Sequence, residues 1–182
     1  MSNPARARMT SDEFIAWAME QPETERYELV AGEIFAMAPE RATHVRTKYR
    51  VARLLDDAIV RAGLRCEMLI DGMSVQVDAD TNYVPDVLVR CGVPVAGDTL
   101  SVADPLILVE VLSPSTVGVD TGMKLADYFR IPSVRHYLIV RAETRTVIHH
   151  ARDAAGVITT RIVRDGTLML DPPGIELRDL FV

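Results

Sequence analysis

Apolar and polar positions along the chain switch between a helical and a two-residue period, and the switches mark out its elements. Thr10-Ser-Asp-Glu13 ahead of Phe14-Ile-Ala-Trp17 has the reciprocal spacing of a capping box and predicts a short helix over about 11–20. Tyr27–Val30 and Glu33–Met37 flank Ala31-Gly32, which predicts a β-hairpin. A two-residue turn sets Val30 opposite Glu33, so Glu28 and Glu33 share one face of that hairpin. Val45, Tyr49, Ala52, Leu55, Ile59 and Ala62 recur at helical spacing, predicting a helix from about 41 to 62 that Gly63 closes. Strands are expected at about 65–70, 73–78 and 84–91, followed by the apolar run Leu106–Leu112. A helix over about 120–130 stops before Pro132, and strands at about 135–141, 146–151 and 157–164 lead to a short segment around 175–181. A helix that links two long apolar strands points to an α/β (α+β mixed) fold. The expected architecture is a mixed β-sheet flanked by helices, preceded by an N-terminal helix and a β-hairpin. No repeat, low-complexity tract or linker interrupts the pattern, so a single domain over 1–182 is expected, with residues 1–9 disordered.

Composition changes this picture little. The 182 residues are 48% hydrophobic and 25% charged, an ordinary globular mix. A chain of this size buries enough surface to need no disulfide. Cys66 and Cys91 form no CxxC pair, which suits a reducing compartment and argues against a zinc ribbon. No apolar run follows the charged N-terminus, and none reaches the roughly 18 residues of a membrane helix, so a cytoplasmic protein is expected. The net charge of −6 counts against nucleic-acid binding, but the charge is unevenly spread. Residues 41–65 hold seven basic side chains against two acids, a net of +5, whereas residues 66–128 hold ten acids against two basic side chains, a net of −8. This is either a phosphate-contacting helix beside an acidic metal site or a solvated helix face beside acidic loops.

Three residues could carry chemistry. In Leu106-Ile-Leu-Val-Glu110-Val-Leu112, alternation puts Leu108, Glu110 and Leu112 on one face and Ile107, Val109 and Val111 on the other. Both faces are apolar, so Glu110 lies on a strand covered on both sides and must be paired with a cation or bound to a metal. Asp86, in Val84-Pro-Asp86-Val-Leu-Val89, begins a second apolar strand; it either finishes a turn or converges with Glu110 on a divalent ion. Lys124 is one of only two lysines in a chain with eighteen arginines. It either forms an i,i+4 pair with Asp120 or supplies a compact, movable ammonium that arginine cannot. Other chemistries fail on spacing. His149 and His150 point to opposite faces of a strand, Ser113 and Ser115 lack a G-x-S-x-G elbow, and no phosphate-binding glycine loop is present.

Together, Tyr27-Glu28-Leu29…Gly32-Glu33, a helix beginning near His44, Pro85-Asp86, Glu110-Val-Leu-Ser-Pro-Ser-Thr116 and Asp120…Lys124…Tyr128 resemble one bacterial family. It comprises the short stand-alone restriction-endonuclease proteins of the PD-(D/E)XK nuclease superfamily, and the resemblance covers about residues 12–165. It implies the restriction-endonuclease core and a catalytic set of Asp86, Glu110, Lys124 and Glu33. Asp86 matches the P-D aspartate, Glu110 the acid of the next strand, and Glu33 the acid of the opening G-E. The superfamily's lysine usually sits two residues after the acid, where this chain has Leu112; in this family the resemblance implies that it has moved to the following helix, and Lys124 is its match. One departure is that the strand at 135–141 often ends in Asp-Pro in relatives, but here in Val140-Arg141-Ala142.

The resemblance further implies that Asp86, Glu110 and the Val111 carbonyl hold Mg²⁺, with Mn²⁺ as a substitute, and that Lys124 orients or helps deprotonate the attacking water. His44, Arg46 and Arg50 are the expected substrate-side residues, and the expected substrate is nucleic acid, DNA first. A homodimer or higher oligomer is expected because small duplex-cutting domains often act in pairs, with Phe14 and Trp17 as a contact. Two rival readings keep the same fold. One is a non-catalytic nucleic-acid-binding or scaffolding protein, and the other is a metal-dependent phosphodiesterase acting on a smaller substrate.

Overall fold

The computed structural model describes residues 8–112, 120–164 and 166–181. Helix α1 (Ser11–Ala18) is followed by strands β1 (Tyr27–Val30) and β2 (Glu33–Ala36), then by the long helix α2 (Ala42–Ala62). Strands β3 (Cys66–Ile70), β4 (Ser74–Gln76), β5 (Asn82–Tyr83), β6 (Val87–Cys91), β7 (Ser101–Val102) and β8 (Ile107–Leu112) lead to helix α3 (Asp120–Tyr128). Strands β9 (His136–Arg141), β10 (Thr146–Arg152), β11 (Ile158–Val163), β12 (Leu168–Leu170) and β13 (Ile175–Leu177) follow.

The capping box forms as the Thr10–Glu13 spacing requires: Glu13 N–H donates to the Thr10 hydroxyl at 3.3 Å and Thr10 N–H to the Glu13 carboxylate at 2.8 Å. The hairpin turn places Ala31 at φ 49° and Gly32 at φ 77°, the left-handed pair that a two-residue turn demands. A Cβ on Gly32 would also meet the Arg8 Cβ at 2.5 Å, so this position takes no side chain.

The main sheet has the order β11-β10-β9-β8-β6-β3. Within this sheet, among the described residues, β8 and β9 are the one parallel pair, joined by the crossover that carries α3. Alternation along β8 works as the sequence predicts. Ile107, Val109 and Val111 pack with Val51, Leu55 and Ile59 of α2 and with the β12–β13 hairpin, while Leu108 packs on the other side with Tyr128 and Tyr137. Each fully buried aliphatic side chain in these layers contributes roughly 1.5–3 kcal/mol. The second side is closed by α3 and by a separate five-stranded sheet of order β2-β1-β5-β4-β7.

The second sheet accompanies the expected mixed sheet. The strand expected from 84 starts at Val87, because the chain breaks at Pro85-Asp86 between β5, which joins the second sheet, and β6, which joins the main one. The register explains the break. Val87 pairs with Val109 across β6–β8, so Pro85 falls opposite Val111 and has no N–H to offer the ladder. The chain leaves the sheet there, and the Val111 N–H donates instead to Asp86 Oδ2 at 2.6 Å. The strands β7 and β12 are too short, at 2 and 3 residues, for alternation to reveal them.

One further expectation is corrected. Cys66 and Cys91 are direct cross-strand partners in β3 and β6 and form a disulfide, Cα to Cα 3.8 Å. Antiparallel register joins residues that are distant in sequence, so cysteine spacing carries no information about redox compartment here. Phe14 is buried, and Trp17 packs edge-on against Tyr27 at 4.8 Å between ring centres, so both aromatics of α1 serve the chain's own packing. Among the described residues, no helix is long and apolar enough to cross a membrane.

His149 and His150 do face opposite sides of β10. His150 stacks on Tyr137 and bonds the Thr160 hydroxyl at 2.8 Å, while His149 Nε2 lies 2.9 Å from His136 Nδ1. His136 Nε2 lies 2.8 Å from the Pro172 carbonyl and must donate to it, so its Nδ1 accepts from His149. Burial disfavours the charged imidazolium and pushes His149 down to about 4. A depressed histidine contributes stability that is present above its ordinary value of 6.5 and is lost as pH falls through the folded value. An NMR titration should therefore show the His149 ring signal moving near pH 4, and a midpoint near 6.5 would refute the buried neutral pair.

Candidate active site

The strand break sets the geometry of the site. One register step past the paired residues of β3, β6 and β8 lie Asp71, Asp86 and Glu110, a row of three acids at the same end of three adjacent strands. The Asp71 N–H donates to the Asp86 carbonyl at 3.1 Å, which ties the first two together. Two groups of side chains meet this row from opposite sides.

On the α3 side, Lys124 Nζ lies 3.1 Å from Glu110 Oε1 and 2.9 Å from Glu28 Oε1. The Tyr128 hydroxyl donates to Glu110 Oε1 at 2.8 Å, and the Val84 N–H donates to Glu28 Oε1 at 2.9 Å. The Lys124 ammonium also sits over the Tyr83 ring, 5.0 Å from its centre, and the Tyr83 hydroxyl donates to Asp127 at 2.7 Å. Lys124 is 6% exposed, which places its charge inside the protein rather than on the helix surface. Burial raises the Glu110 carboxyl to about 7, aided by Asp86 and Glu28 and opposed by Lys124 and the Tyr128 hydroxyl. Burial likewise holds the Tyr128 hydroxyl well above its ordinary range, so it remains a donor.

On the α2 side, His44 Nε2 lies 3.1 Å from Asp86 Oδ1 and 3.9 Å from Glu40 Oε2. The hydrogen bond to Asp86 raises the His44 imidazole above its ordinary value despite partial burial. Lys48, one helical turn on, bonds both Glu40 oxygens at 2.6 and 2.7 Å. Arg26 pairs with Asp71. Ligand atoms of Glu40, His44 and Asp86 lie within 4.8 Å of one another, a donor set of the kind that holds a divalent cation.

The structure thus brings Asp86, Glu110, Lys124 and His44 into one region, as the sequence predicts. It supplies Glu28 as the hairpin acid that reaches the cluster. Glu33, although on the same hairpin face by register, is exposed on β2, the edge strand. Val111 touches Asp86 through its N–H.

Arg46 and Arg50 lie apart from the acid cluster. Two residues along a helix are about 200° apart, so Arg46 is turned well away from the His44–Lys48 face. Arg46, Arg50 and Arg145 line an open groove of about 450 Å³. Arg50, Arg53, Arg61 and Arg178 line a larger one of about 780 Å³ against β13, and neither groove includes a member of the acid cluster. The Ser113–Thr116 part of the sequence motif and the Asp120 side chain lie outside the described residues.

Sequence reasoning missed Glu28, Glu40, Lys48, Asp71 and Tyr128 as members of the site. A signal existed for Lys48, because the scarcity that singled out Lys124 applies equally to the other lysine.

Comparison with known proteins agrees with this architecture. Two uncharacterized Synechocystis proteins are each 29% identical to the chain. The alignment with slr1290 spans 148 residues, 80% of this chain and 76% of the relative, and that with sll1609 spans 136 residues, 73% and 76%. A crystal structure from Anabaena variabilis, described as a "putative nuclease belonging to DUF820", superposes with a TM-score of 0.69 at 16% identity, covering 90% of each chain. That similarity shows the restriction-endonuclease-like fold. The Uma2 family model, described as "Putative restriction endonuclease", matches residues 11–180, and the chain therefore belongs to the Uma2 family within the PD-(D/E)XK-like nucleases.

Proposed function

We propose that this protein is a divalent-metal-dependent endonuclease that hydrolyses phosphodiester bonds of nucleic acid, DNA in the first instance. The observation that carries this reading is the Lys124 ammonium, buried between Glu110 and Glu28 beside Asp86. A chain that builds its surface from arginine has placed a lysine where two buried carboxylates converge, an arrangement of little use to folding alone. Buried ion pairs are weak contributors to stability, because desolvation offsets their attraction.

The donor set fits a hard divalent ion: Asp86 and Glu110 are adjacent carboxylates, and Glu40 and His44 stand close behind Asp86. Asp86, Glu110 and the Val111 carbonyl would hold Mg²⁺, or Mn²⁺ in its place. Such an ion lowers the pKa of a bound water and offsets charge on the phosphate. The chain's own residues do the rest. Lys124 orients the attacking water and returns a positive charge to the site as the phosphate becomes more negative. Tyr128 and Glu28 hold Lys124 and Glu110 in register. The Val111 N–H fixes the Asp86 carboxylate so that Oδ1 faces α2. Paired copies would cut both strands of a duplex, and the cytoplasm is where such a substrate lies.

The direct test is to incubate pure protein with plasmid, single-stranded DNA and RNA, with and without Mg²⁺ or Mn²⁺. Cleavage should require the ion, and Asp86→Asn should abolish both cleavage and calorimetric Mn²⁺ binding; equal Mn²⁺ affinity in the variant would rule out this metal site. Lys124→Ala should lower cleavage at least about a hundredfold while Mn²⁺ binding largely survives. Loss of both together would assign Lys124 to structure alone.

Glu110 also sets a pH dependence. Between its ordinary 4.5 and the folded value of about 7, the folded chain holds a proton that the unfolded chain releases. Its contribution to stability is therefore full below the lower value and is lost as pH rises through the upper one. Metal binding must displace the same proton, so Mn²⁺ affinity should rise with pH up to about 7 and then level off. Glu110→Gln should flatten both curves, and an unchanged pH profile in that variant would remove Glu110 from the metal site.

A further inference from the structure

Only two lysines exist in this chain, and the function proposed above uses one of them. The other, Lys48, is 3% exposed and surrounded by acids from three separate segments. Its ammonium bonds Glu40 Oε1 and Oε2 at 2.6 and 2.7 Å and lies 3.3 Å from Asp71 Oδ2 and 3.6 Å from Asp86 Oδ1. Glu40, Asp71 and Asp86 face Lys48 and Arg26, so the group carries one uncompensated negative charge when His44 is neutral. A cleft of about 410 Å³, lined in part by Arg26, Glu40, Lys48 and Asp71, gives solvent access to it.

Arginine would be the natural choice for a permanent tie here, since its planar fork locks two carboxylate oxygens in place and is less strongly hydrated. The residue present is a compact point charge on a flexible four-carbon stem. It sits against Asp86 and Glu40, two of the three side chains whose ligand atoms come within 4.8 Å of one another. We propose that Lys48 is a positioning residue for metal loading. Its ammonium holds Glu40 and Asp86 together in the ion-free protein and yields that carboxylate face to the divalent ion as it binds. Lysine and ion then compete for the Asp86 carboxylate, whose Oδ1 lies 3.6 Å from the ammonium, and the cleft gives the displaced side chain somewhere to go. This inference rests on the metal-dependent reading of the same site.

Competition has a signature that a purely structural ion pair lacks, because removing the competitor tightens metal binding. Calorimetric titration of Mn²⁺ into Lys48→Met should show affinity at least about tenfold above wild type, since an ammonium so close to the carboxylates opposes the ion strongly. Lys48→Arg keeps the charge and should remain within a few-fold of wild type. Unchanged or weaker Mn²⁺ binding by a Lys48→Met protein that melts cooperatively would overturn the proposal.

A second measurement needs no variant at Lys48. Reductive methylation read by mass spectrometry should modify Lys48 several-fold faster when Mn²⁺ is present, and Asp86→Asn should remove that effect. An Mn²⁺-independent rate at Lys48 in wild type would equally overturn it. The two levels of failure are distinguishable. If wild type binds Mn²⁺ through Asp86 but Lys48→Met binds no tighter, only this inference falls. If neither protein binds Mn²⁺, the metal-dependent reading falls with it.

Discussion

The hydrogen bond from the Val111 N–H to the Asp86 carboxylate organises much of the molecule. The chain leaves the ladder between β6 and β8 at Pro85-Asp86, so the Val111 N–H in the middle of the core would lose its partner. An orphaned buried amide costs on the order of 1–3 kcal/mol. The Asp86 side chain meets that need at 2.6 Å, and in doing so it is fixed at the seam between the two larger sheets. The same break releases β5 to the second sheet, where β1 and its Glu28 pair beside it. One backbone vacancy thus fixes an acid, divides a strand between sheets and brings the N-terminal hairpin over the site.

Charge is distributed around this seam in a way that a stability argument does not explain. The acids Glu28, Asp86 and Glu110 are all 9% exposed or less, and the cations that answer them are the chain's two lysines rather than any of its eighteen arginines. Arg50, Arg53, Arg61 and Arg178 line an outward groove and Arg90 holds the surface acid Asp104, while Arg26 pairs with Asp71 at the end of the acid row. The ammonium groups of the two lysines, by contrast, are buried among the acids. The raised Glu110 carboxyl and the raised His44 imidazole belong to the same economy, since each is a proton that can leave when another cation arrives.

Much of this was legible in the sequence, and what was missed has identifiable causes. The doubly apolar run around Glu110 declared both a central strand and a buried acid. The arginine habit of the chain exposed Lys124. The P-D step flagged Asp86, although alternation carried the strand straight through it. Alternation reports which face a residue takes but not whether a proline leaves the opposite amide without a partner. Glu28 and Glu33 shared a face by correct register, yet register does not tell which end of a hairpin is covered; the second sheet decides that, and its strands of two or three residues carry no period. Arg46 and Arg50 are close to His44 in sequence, but helical geometry turns them from the face that His44 and Lys48 share and onto open grooves. Cys66 and Cys91 were separated by 25 residues and joined by a register that only pairing of the flanking strands reveals.

The parallel pairing of β8 with β9 has a consequence for how the protein comes into being. Antiparallel neighbours such as β9 and β10 can meet through a short turn, but β9 reaches β8 only after the chain has traversed the crossover that contains α3. Pairings of that kind form late, because the loop must close before any contact compensates its entropy. Lys124 travels on that crossover, so until it docks, Glu110 and Glu28 face each other without the ammonium that reconciles them. Docking of the crossover that closes β9 onto β8 is therefore also the step that delivers Lys124 to the site.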